Sequence, residues 1–367
     1  MDSQLFIGIM SGTSMDGADA VLVRMAGSRW QAAEAHAFLS YSGRLKSDLL
    51  ALQNTGHNEL HRSMVLAQEL SRLYADTVGR LLEEQNLKPE QIAAIGCHGQ
   101  TVRHAPEAGY SIQLANLPLL AELSGIFTVG DFRSRDLAAG GQGAPLVPAF
   151  HHALFHSAGE TRVVLNIGGI SNISVLPPQS AAFGFDTGPG NMLMDAWTWH
   201  VWQQPYDKNG EKAAQGKVLP ELLDRLLAHP YFALPHPKST GRELFSIEWL
   251  LPQISDGLNP YDVLRTLLEY TAQSIADAVA VAAPEARNLY VCGGGIRNAA
   301  LMESLTARLA ARQTAVHSTS ALNLDPQWVE AAAFGWLAAC WVNGIAGNPH
   351  HATGAGKPCI LGAGYYA

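Results

Sequence analysis

The segment MSGTSMDGAD, residues 10–19, places Gly12, Thr13, Ser14, Asp16, Gly17 and Asp19 in one short turn. Glycines let backbone N–H groups close around phosphate oxygens, and small hydroxyls add donors. Gly12 and Gly17 match the spacing of the loop G-x-x-x-x-G-K-[ST], yet Ala18 and Asp19 stand where that loop needs Lys and Ser or Thr. A second turn, in VVLNIGGISNISVL, carries Asn166, Gly168 and Gly169, and a third, in LYVCGGGIRN, carries Gly293, Gly294, Gly295 and Asn298. A single glycine turn is ordinarily a tight connection between strands. Three of them with polar flanks point to phosphate.

Charged residues gather elsewhere. Asp186 in GFDTGPGNML follows an apolar strand and precedes a Gly-Pro-Gly turn. A carboxylate so placed either faces a cleft or caps its own turn by accepting backbone N–H groups; the residues alone leave both readings open. GDFRSRD offers Asp131, Arg133, Arg135 and Asp136. An arginine there can grip a carboxylate with two parallel hydrogen bonds, and in an extended segment Asp131 and Arg133 would share a face. PKSTGRE, with Lys238 and Arg242, reads equally as a lid over an anion or a solvated turn. His152 and His156 have i, i+4 spacing but no glutamate between them, so they lack the zinc-protease pattern.

The elements that must hold these residues follow from periodicity. LFIGIM and ADAVLVRM flank the first turn and read as strand, turn, strand, as do the flanks of the second. After Gly295 the apolar residues recur at helical spacing, so the third turn reads as strand, turn, helix. Long amphipathic helices are expected in residues 58–86 and 261–283. Another is expected in DPQWVEAAAFGWLAACWVNG, with Asp325 as N-cap, Pro326 in the first turn and Gly344 as stop. Strands alternating with helices give an α/β fold. The glycine- and proline-rich LAAGGQGAPLVP suggests a boundary: domain I from 1–140, with 345–367 packing back on it, and domain II from 141–344.

The chain has 367 residues, 47% hydrophobic and 15% charged, with net charge −8. That describes a globular protein and argues against a nucleic-acid or anionic-membrane surface. Four scattered cysteines give no disulfide framework and suit a reducing compartment. The N-terminus has no basic flank before its short apolar run, and no stretch reaches a membrane span, so the expected location is cytoplasmic. Trp197, Trp199 and Trp202 lie close together, which fits a homodimer interface or a core equally.

Taken together, the turns resemble those of the sugar kinase, actin and Hsp70 superfamily. More narrowly, GIMSGTSMDGADAVL, GCHGQTVRHAP, GDFRSRDLAAGGQGAPLVPAFH, LNIGGISNIS, GFDTGPGNMLMDAW, PKSTGRELF, VCGGGIRN and DPQWVEAAAFGWLA resemble, in this order, the motif string of the anhydro-N-acetylmuramic acid kinase family. The resemblance runs from residue 8 to residue 338. It implies two duplicated actin-like (ribonuclease H-like) domains with an ATP cleft between them. It also implies a kinase that uses ATP and water to turn 1,6-anhydro-N-acetylmuramic acid into N-acetylmuramic acid 6-phosphate, in the recycling of cell-wall sugars in a bacterial cytoplasm. The resemblance assigns ATP to Gly12, Thr13, Ser14, Met15, Asp16, Gly17, Ala18, Asp19, Gly168, Gly169, Gly293, Gly294, Gly295 and Asn298. Asp16 and Asp19 would approach Mg2+ through water. Asp186 becomes the base that activates water. His98, Thr101, Asp131, Arg133, Asn166 and Glu330 become the groups that bind the amino sugar, with Arg133 on its lactyl carboxylate. Two other readings stay open on the residues: an actin- or Hsp70-like ATPase that binds partners, and a hexose kinase in which Asp186 deprotonates an intact hydroxyl.

Overall fold

The computed structural model describes residues 2–367 except Thr13, Ser14, Pro237, Arg242, Glu243 and Pro349. The strands are β1 (Ser3–Ser11), β2 (Gly17–Ala26), β3 (Arg29–Ser40), β4 (Ile92–Ala105), β5 (Tyr110–Leu114) and β6 (Thr128–Gly130), followed by β7 (Arg162–Ile167), β8 (Ile170–Leu176), β9 (Phe183–Pro189), β10 (Asn288–Cys292), β11 (Ala315–Ser318) and β12 (Ala363–Tyr365). They form two sheets, ordered β12-β6-β4-β1-β2-β3 with β5 on β4, and β11-β10-β7-β8-β9.

Both sheets follow one plan. The first three strands are antiparallel neighbours, β1 to β2 to β3 and β7 to β8 to β9. A further strand lies parallel beside the first, β4 on β1 and β10 on β7, and another parallel beside that, β6 on β4 and β11 on β10. The repeated order, third-second-first-fourth-fifth, is the duplicated arrangement that the motif string implied. The first two glycine turns join antiparallel strands, and the third leads from β10 through a short 3-10 turn into the helix Ala299–Ala310.

β1 is buried along nearly its whole length because helices cover both of its faces. Leu5, Ile7 and Ile9 pack in one core with Leu66, Leu70, Val78 and Leu81 of the helix Glu59–Gln85. On the opposite face the helix Val329–Val342 lies so close that a Cβ on Gly8 would stand 1.8 Å from the Ala331 carbonyl oxygen. On Gly96 of β4 it would stand 1.9 Å from the Phe334 carbonyl oxygen. The 329–342 helix is apolar around its circumference and buried from Ala331 through Cys340, as a helix enclosed on all sides must be.

The chain divides into two compact units, Met1–Leu154 with Trp328–Ala367, and Phe155–Gln327. The division expected from the sequence, 1–140 and 141–344, therefore misplaces residues 141–154 and the 329–342 helix. The loop composition marked a boundary, but the helix goes where β1 and β4 offer glycines for it. Its start also differs: Asp325 does not cap it. Asp325 Oδ1 accepts the Gln327 N–H, the Pro326 carbonyl accepts the Gly293 N–H, and the helix begins only at Val329.

Asp136 fastens the C-terminal segment within the first unit. Its carboxylate is fully buried and accepts the Gly143 N–H at 2.9 Å, the Thr353 hydroxyl at 2.8 Å and the Asn348 amide at 3.2 Å. Truncating it strands three buried donors. Asp136→Ala is expected to lower unfolding stability by about 3 kcal/mol, measured by urea unfolding. Unchanged stability would show that the segment is held without it.

Candidate active site

In the first unit, β1 and β2 lead into and out of the opening turn. The Met15 N–H donates to the Gly12 carbonyl, and the Gln100 amide donates to the same oxygen at 3.2 Å. Met15 takes a left-handed backbone, φ 52, and buries its side chain with Ala18 in the core. These two can offer a ligand only their backbone. Gly17 is glycine for a different reason than phosphate approach, since a Cβ there would meet the Leu39 carbonyl at 2.3 Å. Asp16 is exposed and paired with Lys46 at 2.6 Å, and Asp19 is bonded to His36 Nε2 at 2.8 Å. Thr13 and Ser14 lie outside the described residues.

The two acids do not form a ready metal cage. Each already has a nitrogen partner, and no group of three metal-ligating side chains occurs among the described residues. Direct ligation would displace Lys46 or His36, whereas contact through water would not.

The GDFRSRD segment is not extended. Asp131 has φ 53 and precedes a helix, Phe132–Leu137, so Asp131 and Arg133 are not alternating strand residues. The helix instead turns Arg133 toward β4. One Arg133 nitrogen donates to His98 Nε2 at 2.9 Å and another to the Gly143 carbonyl at 2.6 Å. His98 Nδ1 lies 2.8 Å from the Gly99 carbonyl, which fixes its proton on Nδ1 and leaves Nε2 as the acceptor from arginine. Burial and the neighbouring guanidinium hold His98 well below the ordinary histidine range, so it stays neutral. Burial also brings Arg133 down to about 10, while Glu330 and Asp136 raise it, and it remains charged at neutral pH. Glu330 sits in the first turn of the 329–342 helix, and with Arg133 it borders a cavity of about 40 Å³. His98 and Asp131 border another, of about 240 Å³, with Gln113 and Ser134. Thr101 accepts a hydrogen bond from Gln113 at 3.2 Å.

Burying His98 and His151 neutral has a pH consequence. Burial brings His151 down to about 3. Below about pH 6.5 the unfolded chain binds protons at both residues that the folded chain does not, so stability falls with pH. Each contributes a slope of up to about 1.4 kcal/mol per pH unit below that value, and none above it. Urea unfolding between pH 7.5 and 5 should show the decline, with a shallower slope in His151→Phe. An equal slope in that variant would contradict the assignment.

In the second unit, Asp186 lies on β9, opposite Asn172 of β8. Its Oδ2 accepts the Thr240 backbone N–H at 2.9 Å, its N–H donates to the Lys238 carbonyl at 3.1 Å, and its carbonyl accepts the Tyr231 hydroxyl at 2.6 Å. Lys238 in turn donates to the carbonyls of Tyr231 and Phe232. Lys238 and Thr240 are thus strapped along β9, and Thr240 orients the carboxylate from 54 residues away; Pro237, Arg242 and Glu243 of the same motif lie outside the described residues. Lys238 and Thr240 are the residues whose role the sequence left open.

The other glycine turns divide their labour. Gly293 has φ +81, and a Cβ there would stand 2.2 Å from Asn166 Oδ1; on Gly295 it would stand 2.3 Å from Ile167. Of the three glycines in the third turn, Gly294 opens onto free space. Gly168 and Gly169 accept the N–H groups of Asn191 and Gly190, which anchors the helix Met192–Trp202. Asn298 caps the 299–310 helix by accepting the Leu301 N–H at 3.1 Å. Asn166 Oδ1 is buried without a hydrogen-bond partner among the described residues. On the Met192–Trp202 helix, Trp197 is buried and donates to the Pro260 carbonyl, whereas Trp199 is exposed.

Lys46, His36, Gln113 and Ser134 escaped the sequence reading. Gln100 and Ser134 lie within quoted motifs and could have been singled out; Lys46, His36 and Gln113 carry no local signal.

A family model for anhydro-N-acetylmuramic acid kinase matches residues 4–367. The anhydro-N-acetylmuramic acid kinase of Neisseria meningitidis serogroup C (strain 053442) is 71% identical over 366 residues, covering 100% of both chains. That of Nitrosomonas europaea is 50% identical over 364 residues, covering 99% of each. Among solved structures, component A of the (R)-2-hydroxyglutaryl-CoA dehydratase of Acidaminococcus fermentans aligns with 92% of this chain and 99% of its own, at 11% identity and a TM-score of 0.47, too remote to bear on function.

Proposed function

The chain belongs to the anhydro-N-acetylmuramic acid kinase family, and from that premise we propose that it opens the 1,6-anhydro bridge of 1,6-anhydro-N-acetylmuramic acid and phosphorylates O6. The full-length match carries the reading. At the level of the site, the fixed Asp186 carboxylate and the Arg133–His98 pair support it.

Water attacks C1 and gives its proton to Asp186, the C1–O6 bond breaks, and O6 takes the γ-phosphoryl group of ATP. The products are N-acetylmuramic acid 6-phosphate and ADP. Because phosphorylation captures the departing oxygen, one base suffices where a glycosidase needs two carboxylates. Thr240 and Lys238 hold that base in place through the backbone. His98, neutral, fixes the plane of Arg133, which keeps further N–H groups for the lactyl carboxylate. Glu330 and Asp131 accept hydrogen bonds from the sugar. The nucleotide would be ATP with Mg2+; Met15 and Gly17 of the opening turn, and separately Gly294, would offer its phosphates backbone N–H groups. Asp16 and Asp19, already paired with Lys46 and His36, would reach Mg2+ through water. The amino sugar would derive from cell-wall turnover, and the reaction would take place in the cytoplasm.

Turnover in water enriched in oxygen-18 tests the reaction. Label at C1 with phosphate on O6 is expected. ATP hydrolysis without a sugar product would favour a partner-binding ATPase, and phosphorylation with no label at C1 would leave an ordinary hexose kinase.

A further inference from the structure

Ser11, Tyr74 and Gln100 are buried polar side chains beneath the opening turn, and the reaction described above gives none of them a part. They meet at an irregularity of β4. Ile9 pairs with Cys97 and Ser11 with Gln100, so His98 and Gly99 together oppose Met10 alone. Such a bulge bends its strand and re-aims side chains, often beside an active site. Gly99 takes φ +77, and a Cβ there would stand 2.9 Å from the Leu114 carbonyl oxygen, so glycine is required. The Gly99 carbonyl is a junction. It accepts from His98 Nδ1 at 2.8 Å and from the Ser11 hydroxyl at 3.2 Å. Ser11 has then given away its only proton, so its oxygen accepts from the Tyr74 hydroxyl, 2.8 Å away. Burial pushes the Tyr74 phenol well above the ordinary tyrosine range, so it keeps the proton it donates.

Resting on the family reading above, we propose that Ser11 and Tyr74 are a positioning pair, which holds the opening turn in register with Arg133 and His98 and so aligns nucleotide and sugar on one hydrogen-bonded frame. The frame lies within the first unit. It runs from the Arg133 guanidinium through both nitrogens of His98 to the Gly99 carbonyl, and from there through Ser11 to Tyr74 of the helix Glu59–Gln85. Ser11 is the last residue of β1, where the chain enters the opening turn. Gln100 closes the frame by donating to the Gly12 carbonyl at 3.2 Å. Its members are buried, and a fully satisfied network in a dry interior is stiff. Neither Ser11 nor Tyr74 touches a reacting atom; they act through the groups they hold. Phosphoryl transfer to O6 needs that alignment, because misplacing a reactant by ~1 Å can cost about a hundredfold in rate.

Removing both hydroxyls at once tests the pair, since replacing both partners of a buried hydrogen bond by apolar groups of the same shape is nearly neutral for stability. Ser11→Ala/Tyr74→Phe should therefore unfold in urea close to the native midpoint. Its kcat with ATP and 1,6-anhydro-N-acetylmuramic acid is expected to fall about tenfold, with KM for each substrate within about twofold of native. Tyr74→Phe alone takes from Ser11 only its orienting donor. It is the second variant should the first fail to fold, and kcat should then fall about threefold. Arg133→Lys breaks the frame at its other end. In that background the loss caused by Ser11→Ala/Tyr74→Phe should shrink to about twofold or less, because a broken frame has little left to lose. The same fold-change in both backgrounds, or a fall in kcat that follows a fall in stability, would reduce the pair to packing. Native turnover with kcat unchanged in the variant would overturn this inference alone. A native chain that turns over no anhydro sugar would overturn the family reading and this inference with it.

Discussion

Asp186→Asn is expected to lower turnover of the anhydro sugar by about 10²–10⁴-fold while leaving the sugar KM near native. Asparagine has the same size and can still accept the Thr240 N–H through its oxygen, so the 2.9 Å bond that orients this side chain survives. What is lost is the ability to take a proton from water at C1. Measured kcat and KM, with circular dichroism to show that the fold is intact, separate a chemical role from a structural one. The competing possibility, that Asp186 only organises its neighbourhood, predicts a loss of stability with kcat little changed per folded molecule. Product formed as fast by the variant would leave the pathway in place and remove Asp186 from it.

The second large effect concerns the seam between β1 and the 329–342 helix. Gly8→Val is expected to destabilise the first unit by at least ~3 kcal/mol. The atoms in the way are backbone: the Ala331 carbonyl oxygen at 1.8 Å and the Gly335 nitrogen at 2.5 Å from the added Cβ. Neither can swing aside as a flexible side chain would, so helix and sheet must separate. Glu330 rides on the first turn of that helix, so any variant that folds should also bind sugar more weakly. The control is Gly79→Ala. Gly79 lies inside the helix Glu59–Gln85, with no atom within 4 Å of an added Cβ, and alanine there should stabilise by about 0.5–1 kcal/mol. Urea unfolding of the two variants beside the native chain measures both. If Gly8→Val matches native stability, the close approach of helix to sheet is wrong.

Part of this protein could be read from its sequence. The hairpins β1–β2 and β7–β8, the strand-to-helix passage after Cys292 and the long helices 59–85 and 260–282 all declare themselves through apolar periodicity and turn residues. Such signals are local: each depends on residues within a few positions of one another. The α/β class followed from their alternation, and the motif string supplied the family. Asp186, Arg133, His98 and Glu330 stood out only as residue types in suggestive settings.

The tertiary structure decided the rest. Nothing near Arg133 in the sequence announces that it bonds His98, 35 positions away, or that Asp136 holds Asn348 across 212. Nor does anything near Asp16 or Asp19 in the sequence announce that Lys46 pairs with the first and His36 with the second. The glycines of the first and third turns looked alike, but Gly17, Gly293 and Gly295 are small because backbone and side chains crowd them, and Gly294 faces open space. The 329–342 helix joined the first unit although the chain leading into it belongs to the second. Local sequence specifies which backbone conformation a segment favours; which segments then meet depends on strand order, on the closeness that glycine permits, and on burying a helix that is apolar on every side. Those are properties of the whole folded chain, and they set where its chemistry can occur.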